Sequence, residues 1–251
     1  MKVFSAKNRP LHLGPYPVER LKRISNVALS SIPDMAPLTF QRTEMPENIV
    51  NAMGEYQAML DAIRDGLINK IKAVIPRDPQ TRADHLKAFG YFNDAAMIGV
   101  CALPDFALLD RPILNPDIDR LADVLRTRQT KTLASGIDAI MADLKDSMEA
   151  PVSTIGDHTH AIVFLYDNPR ALHQNEAGCD WLYDAHAHRA SLRASETTSV
   201  LANYIRLLGF DAKSHSGSAS DVNLNSLAVA AGLAWVKDCA LVAPFVGQNF
   251  G

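Results

Sequence analysis

Two pairs of histidines are the first residues whose type and spacing could support chemistry. His158 and His160 precede a strongly apolar run, and His186 and His188 follow Asp184. Histidines at positions i and i+2 of a strand share a face and can bind one metal ion, with an aspartate as a third ligand. In a helix the same spacing turns the side chains about 200° apart, which prevents a shared metal. Histidines in loops and at helix ends more often bind backbone groups, so we predict no metal at either pair.

The cysteines offer a second kind of chemistry. Cys101, Cys179 and Cys239 are scattered along the chain and form no closely spaced pair that could begin a zinc or iron–sulfur site. His173 and Asp180 lie near Cys179 and would suit a thiol nucleophile, but no nucleophile elbow or oxyanion motif surrounds them. We therefore predict structural cysteines. No glycine-rich phosphate-binding motif occurs either.

A small-residue loop gives a third candidate site, at residues 214–220. Such a loop between a strand and a helix lets backbone N–H groups approach a ligand, and the helix that starts near Asn223 favours a phosphate or an amide-rich ligand edge there. An ordinary flexible connection explains the same spacing equally well. The candidate ligand-binding residues are His215, Ser216, Gly217 and Ser218.

The composition is that of an ordinary globular protein. The chain has 251 residues, 47% of them hydrophobic, and 25 Lys and Arg against 28 Asp and Glu give a net charge of −3. This charge provides no field for holding a polyanion, so a nucleic-acid partner is not expected. The N-terminal residues have no apolar core or twin arginine, and no apolar run is long enough to span a membrane. The pattern predicts a cytoplasmic protein without a membrane partner.

The pattern of apolar residues and prolines predicts an α+β fold, in which helices cover a sheet. Residues 1–45 are rich in proline and are predicted to form an extended arm, followed by a single domain over 46–251. Helices are predicted at 46–75, from a cap at 81–84, at 117–127, 130–147, 189–208 and 223–236. Strands are predicted at 96–103, 160–166 and 210–215, with a loop at 104–117 and an apolar run at 241–246.

Residues 195–215, followed by 227–233, resemble the corrinoid-binding module shared by reductive dehalogenases and epoxyqueuosine reductase. The resemblance rests on Tyr204-Ile205-Arg206, on Leu208-Gly209-Phe210, on the small-residue loop and on Ala231-Gly232-Leu233. Residues 85–100 are similar to a further segment of that family, and residues 7–21 are similar to the start of the soluble, catabolic reductive dehalogenases. The resemblance spans nearly the whole chain.

The resemblance implies a nitroreductase-like fold and a parent activity that removes halogen from organohalides, with cobalamin and two iron–sulfur clusters. Three features depart from it. Trp235 stands where the family has a compact turn, the cysteine-rich ferredoxin-like portion is missing, and the proton-donating tyrosine has no secure counterpart among the weak candidates Tyr183, His186 and His188.

These departures favour the N-terminal, non-catalytic copy of the corrinoid-binding fold, which binds no cofactor itself and packs against the corrinoid copy and the ferredoxin-like domain, or forms a homodimer. One alternative is a corrinoid-binding module that carries out dehalogenation directly. Another is a stand-alone flavin-binding or nitroreductase-like protein.

Overall fold

The computed structural model describes residues 29–40, 42–45, 48–120, 154–168, 173–182, 185–244, 246–248 and 250–251. The helices are α1 (Val50–Ala62), α2 (Pro79–Phe92), α3 (Cys179–Leu182), α4 (His186–Leu207) and α5 (Leu224–Ala230). The strands are β1 (Met97–Ala102), β2 (Leu108–Ile113), β3 (His160–Leu165), β4 (Ser220–Val222), β5 (Trp235–Lys237) and β6 (Ala240–Val242). They form the antiparallel pairs β1–β3, β2–β4 and β5–β6. This mixture confirms the predicted α+β class.

The β1–β3 pair is the centre of the structure, and both strands were predicted from their apolar runs. Successive side chains of a strand point to opposite faces. Met97 and Cys101 of β1 accordingly join the core cluster that contains Leu227 of α5. Ile98 lies on the other face and packs with Ala190 of α4. Helices therefore cover both faces of the pair.

Helix α4 was also predicted closely, at 189–208. Its C-terminal end is fixed by Gly209, which adopts φ of +83°, a left-handed conformation that glycine tolerates best. A Cβ atom there would lie 2.7 Å from the backbone oxygen of Ile71. Position 209 thus excludes a side chain for two reasons, its φ angle and the chain segment that crosses the end of α4.

That crossing segment corrects the predicted helix at 46–75, because α1 ends at Ala62. The chain beyond it runs irregularly beside the end of α4, where Asn69 N–H donates to the Arg206 carbonyl at 3.0 Å and Ala73 N–H donates to the Leu208 carbonyl at 2.9 Å. These bonds replace the helical ones that the same amides would otherwise make.

The start of α2 lies two residues before the predicted cap at 81–84. Pro79 occupies the first turn, where its missing N–H costs nothing, and the Asp78 carboxylate accepts hydrogen bonds from the backbone N–H groups of Gln80 and Thr81. Asp78 is therefore the N-cap.

Three other sequence predictions are wrong. The predicted loop at 104–117 contains β2, because Pro112 is tolerated on a strand whose pairing with β4 is irregular. The predicted strand at 210–215 is irregular, since its polar atoms bind helix α4 and residues 64–65 after α1. The predicted helix at 223–236 ends at Ala230, because Trp235 pairs with Val242 in the β5–β6 hairpin.

Of the predicted arm at 1–45, residues 1–28 and 41 lie outside the described residues. Its described part begins with a short helical turn at Leu29–Ser31 and then runs without regular structure over 32–40. Residues 117–120 are helical, and the rest of the helices predicted at 117–127 and 130–147 lies outside the described residues. Among the described helices, none combines the length and apolar character that crossing a membrane requires.

Candidate functional site

A cavity of about 500 Å³ lies against β3, on the side away from β1. All six residues of β3 line it, together with the inward side of α4, the start of α5 and the described arm. The candidate loop forms its polar part, through His215, Ser216 and Gly217. Its volume lies within the range of about 300–1,000 Å³ that is typical of small-molecule sites. The structure thus places the loop predicted from its small residues at this cavity.

The polar atoms of this loop bind the protein's own chain. The Ser216 and Ser218 hydroxyls donate to the Asp61 carboxylate, and the Ser214 hydroxyl lies 3.3 Å from that of Ser199. The Gly217 carbonyl accepts a hydrogen bond of 2.8 Å from the Leu38 N–H of the arm. The loop is therefore held from inside by α1 and α4 and from outside by the arm.

The arm also limits the space at Gly217. A Cβ atom at this position would lie 3.1 Å from the Leu38 Cβ. Further along, the Leu224 N–H faces the Met35 sulfur at 3.3 Å, and the Asn225 side chain donates to the Pro33 carbonyl at 3.0 Å. The arm thus covers both the loop and the start of α5.

Asp61 is the centre of a buried polar cluster and is only 4% exposed. Besides the two serines, its carboxylate accepts hydrogen bonds from the Gln57 amide at 2.9 Å and the Asn115 amide at 2.8 Å. All of these donors are uncharged. Because burying a carboxylate is costly unless it is hydrogen-bonded, these donors stabilise the charge and fix the loop to α1.

A second buried cluster holds the chain on either side of the loop. Lys213 Nζ lies 2.6 Å from one Asp221 oxygen and 3.4 Å from an Asp65 oxygen, and Arg64 Nη2 lies 2.9 Å from the other Asp221 oxygen. Burial acts to raise the pKa of Asp221, but hydrogen bonds and charge from Lys213 and Arg64 lower it further than burial raises it. The two cations and two carboxylates compensate one another, which makes the cluster a structural one.

His215 is uncharged over most of the pH range. Its Nδ1 accepts a hydrogen bond from the Asp221 N–H at 3.2 Å, which assigns the proton of the neutral ring to Nε2. Burial, followed by the positive charges of Arg64 and Lys213, lowers its pKa to about 3, although the Asp221 carboxylate acts in the opposite direction. Folding therefore disfavours protonation of this imidazole.

A pH dependence of stability follows from His215. The unfolded chain binds a proton near the ordinary pKa of 6.5, whereas the folded chain binds it only near 3. Acidification from pH 6.5 to 5.0 should lower the free energy of unfolding by about 2 kcal/mol through this residue, and stability returns as pH rises again. Urea unfolding at the two pH values measures the effect. His215→Gln should remove it, while the matched variant His173→Gln, at an exposed position, should retain it. If acidification lowered the free energy of unfolding equally in all three proteins, His215 would not be the source of the effect.

Of the three catalytic candidates, only the side chain of His188 lies within the described residues. Tyr183 and the side chain of His186 lie outside the described residues. His188 is buried, and its ring stacks on Phe40 of the arm with centroids 4.1 Å apart. That contact gives His188 a packing role between α4 and the arm. The cavity-lining residues described by the structure do not include it.

The histidine pairs differ in their surroundings. The backbone at His186 and His188 is helical, and positions i and i+2 of a helix lie about 200° apart around its axis. His158 and His160 both line the cavity, and His158 Nε2 lies 3.6 Å from an Asp211 oxygen. Within the described ranges no group of three His, Cys, Asp or Glu side chains is arranged to hold a metal.

Sequence reasoning missed Asp61, the residue that organises the loop. The steps of three and four that join Met53, Tyr56 and Leu60 predict an apolar inner face for helix α1, but Tyr56 is 62% exposed. The face that is buried instead carries Gln57 and Asp61, one helical turn apart. A glutamine and an aspartate at i and i+4 beside small Gly54 and Ala58 would have been the available signal.

Comparison with known proteins gives one consistent result. No family model and no curated protein matches the sequence. Among solved structures, the N-terminally tagged catabolic reductive dehalogenase NpRdhA matches with 30% identity and a TM-score of 0.69, over 100% of this chain and 30% of that chain. The complex of NpRdhA with 3-bromo-4-hydroxybenzoic acid matches with 30% identity and a TM-score of 0.67, covering 100% of this chain and 29% of that one.

A reductive dehalogenase structure described in terms of B12-dependent dehalogenation matches with 30% identity and a TM-score of 0.68, over 100% of this chain and 29% of that chain. The chain thus spans about a third of the length of the structures it matches. The sequence identity of 30% extends over the whole of this chain, and the TM-scores show that the fold is shared as well. The resemblance to reductive dehalogenases stated from the sequence is therefore confirmed, and the chain is similar, from end to end, to part of a catabolic reductive dehalogenase.

Proposed function

We propose that this chain is a non-catalytic unit of a reductive dehalogenase, related to the corrinoid-binding fold, and that it packs against the corrinoid-binding and ferredoxin-like portions of that enzyme. The observation that carries the proposal is the closed state of the candidate loop. Its hydroxyls bind Asp61 and one another, and Gly217 is covered by Leu38. A loop that cradles a cofactor needs its polar groups and its glycine surface turned toward the ligand.

The described residues do not fit cobalamin. Cobalamin, with its macrocycle and nucleotide tail, is much larger than the drug-sized ligands that suit a cavity of about 500 Å³. The arm also takes the space directly above Gly217, where a Cβ atom would already lie 3.1 Å from Leu38. These observations support a unit without the cofactor. The nitroreductase-like architecture and the cytoplasmic location remain predictions.

Visible absorbance tests the absence of the corrinoid. The purified chain, incubated with hydroxocobalamin and then desalted, should remain colourless, beside a known corrinoid-binding protein that retains the pigment. Leu38→Gly, which removes the side chain above Gly217, should remain colourless too, because the serine hydroxyls still bind Asp61. Gly217→Leu should change stability alone. Stoichiometric red protein would establish the corrinoid-binding alternative, and a tightly bound yellow chromophore the flavin alternative.

An exposed apolar surface supports packing against a larger assembly. On α4, Val200, Tyr204 and Leu207 follow one another at steps of four and three, and all are at least half exposed. The segment beside the end of this helix adds the exposed side chains of Leu67, Ile68, Ile71 and Val74. We call these seven residues the α4 surface. Several exposed apolar side chains on neighbouring segments favour a protein interface over a solvated surface.

A binding experiment tests the proposed partner. The corrinoid-binding and iron–sulfur portion of a catabolic reductive dehalogenase, produced separately, should co-elute with this chain in size-exclusion chromatography. Leu207→Asp should weaken the complex at least tenfold because it places a charge in an apolar interface. Phe92→Asp is the matched control, since Phe92 is 85% exposed at the end of α2, and it should leave binding unchanged.

Two outcomes would contradict this packing. One is a complex that both variants weaken equally. The other is a homodimer of the chain alone that Leu207→Asp dissociates, which would assign the α4 surface to a second copy.

A further inference from the structure

The cavity adjoins an open edge of strand β3. β3 pairs with β1 along one edge, and no strand pairs with residues 160–165 along the other edge within the described part of the chain. All six residues of β3 line the cavity, whereas no residue of β1 does. The cavity therefore lies along the outer edge of β3, where the next strand of the sheet would lie.

The register shows which backbone groups face that edge. Leu103 and Thr159 are the next opposed pair when the register of β1 and β3 is continued beyond Ala102. The Leu103 N–H donates to the Thr159 carbonyl at 2.9 Å, so this pair is a hydrogen-bonded one. Hydrogen-bonded pairs alternate along an antiparallel ladder, so Ala161, Val163 and Leu165 direct their backbone groups to β1. Ile162 and Phe164 then direct their N–H and C=O groups to the outer edge. Among the described residues no backbone group outside β1 bonds to them, so they can pair with a further strand.

Directly after β3, the same edge already pairs with another segment of the chain. Tyr166 and Gly251 exchange two hydrogen bonds of 2.9 Å, and Asp167 bridges Phe250 in the antiparallel sense. Tyr166 belongs to the outward set with Ile162 and Phe164. A strand in line with Phe250–Gly251 and antiparallel to β3 would therefore pair with Phe164 and then with Ile162.

The walls of the cavity fit an apolar strand. Two of these walls are apolar, one from α4, with Leu201, Ala202 and Ile205, and one from α5, with Leu227 and Ala228, while residues 211–217 form a polar side. An extended chain directs alternate side chains to these two walls. Its backbone groups would satisfy the β3 edge, and its apolar side chains would fill the cavity.

We infer that the outer edge of β3 and the adjoining cavity are a binding site for an extended, apolar polypeptide segment that adds to β3 as an antiparallel strand. Recognition of this type gives affinity through the backbone and specificity through pockets for alternate side chains. The inference is independent of the proposed function, because it rests on the backbone groups of β3 and on the residues that line the cavity.

Hydrogen exchange of individual amides provides the test, with a tethered strand as the probe. The extension Val-Thr-Val-Thr-Val, fused after Gly251, places the strand at high effective concentration. In the chain without it, the Ile162 and Phe164 amides should exchange at least tenfold faster than those of Ala161 and Val163. With the extension they should slow at least tenfold. The matched extension Val-Pro-Val-Pro-Val, which lacks two backbone donors, should leave them fast.

Three results would overturn the inference. The first is equal protection of the two sets of amides in the original chain. The second is a valine–threonine extension that leaves Ile162 and Phe164 unchanged while the protein remains folded by circular dichroism. The third is protection of these amides that rises with protein concentration and accompanies a dimer in sedimentation, which would make a second copy the occupant.

Discussion

Replacement of Asp61 by alanine is expected to lower the free energy of unfolding by about 4 kcal/mol. The carboxylate is buried and accepts hydrogen bonds from Gln57, Asn115, Ser216 and Ser218. After the substitution the two serines still have each other, and Gln57 retains the Ser195 hydroxyl. The Asn115 amide loses its acceptor and a cavity forms, and removing one member of a buried charged network costs about 3–5 kcal/mol.

Urea denaturation measures this loss, and two variants make it specific. Asp61→Asn retains an acceptor but turns an amide N–H₂ toward other donors, so we expect about half the effect. Asp110→Ala, at an exposed position of β2, should stay within about 0.5 kcal/mol of the original protein. If Asp61→Ala costs no more than Asp110→Ala, Asp61 does not organise the loop.

Lys213→Met is expected to cost about 3 kcal/mol. The lysine side chain is 2% exposed and contacts both Asp65 and Asp221, so its loss removes two ion pairs from a buried cluster and leaves less positive charge beside the two carboxylates. Methionine fills a similar volume, which limits any contribution from packing. The comparison variant is Lys237→Met, at the exposed end of strand β5, where a change within about 0.5 kcal/mol is expected.

The acid dependence of the Lys213 effect gives an independent check. Because the pKa of Asp221 is lowered in the folded protein, its contribution to stability is complete above the unfolded pKa of about 3.9 and is lost as pH falls through the folded value. The difference between the original chain and Lys213→Met should therefore be largest near neutral pH and shrink in acid. A difference independent of pH would indicate a packing effect.

The sequence predicted the elements whose burial follows a simple pattern. β1 and β3 are continuous apolar runs, and α4 has a regular inner face and ends at a glycine with positive φ. Prediction failed where polar residues are buried or where the chain folds without periodicity. The inner face of α1 is built around Gln57 and Asp61, and the segment after it is held by the carbonyl groups of α4.

The candidate loop could be interpreted only in part from the sequence. Small residues at 214–220 predicted a loop that lets a ligand approach its backbone, and in the structure His215, Ser216 and Gly217 line the cavity. The sequence could not show where the hydroxyl groups of Ser216 and Ser218 point, because their acceptor lies on a helix far away in the chain. The direction of those hydroxyl groups depends on tertiary packing. It distinguishes a loop that binds a cofactor from a loop whose polar groups bind the protein itself.

The contact between Leu38 and Gly217 also affects whether a glycine at this position of a related protein indicates cofactor binding. A Cβ atom at position 217 would lie 3.1 Å from the Leu38 Cβ, so the chain's own packing restricts the size of the residue there. A small residue at this position is therefore expected whether or not a cofactor binds. In homologues, a larger residue at 217 should be accompanied by a smaller one at 38, and this paired variation would distinguish a loop shaped by the arm from a loop shaped by a ligand.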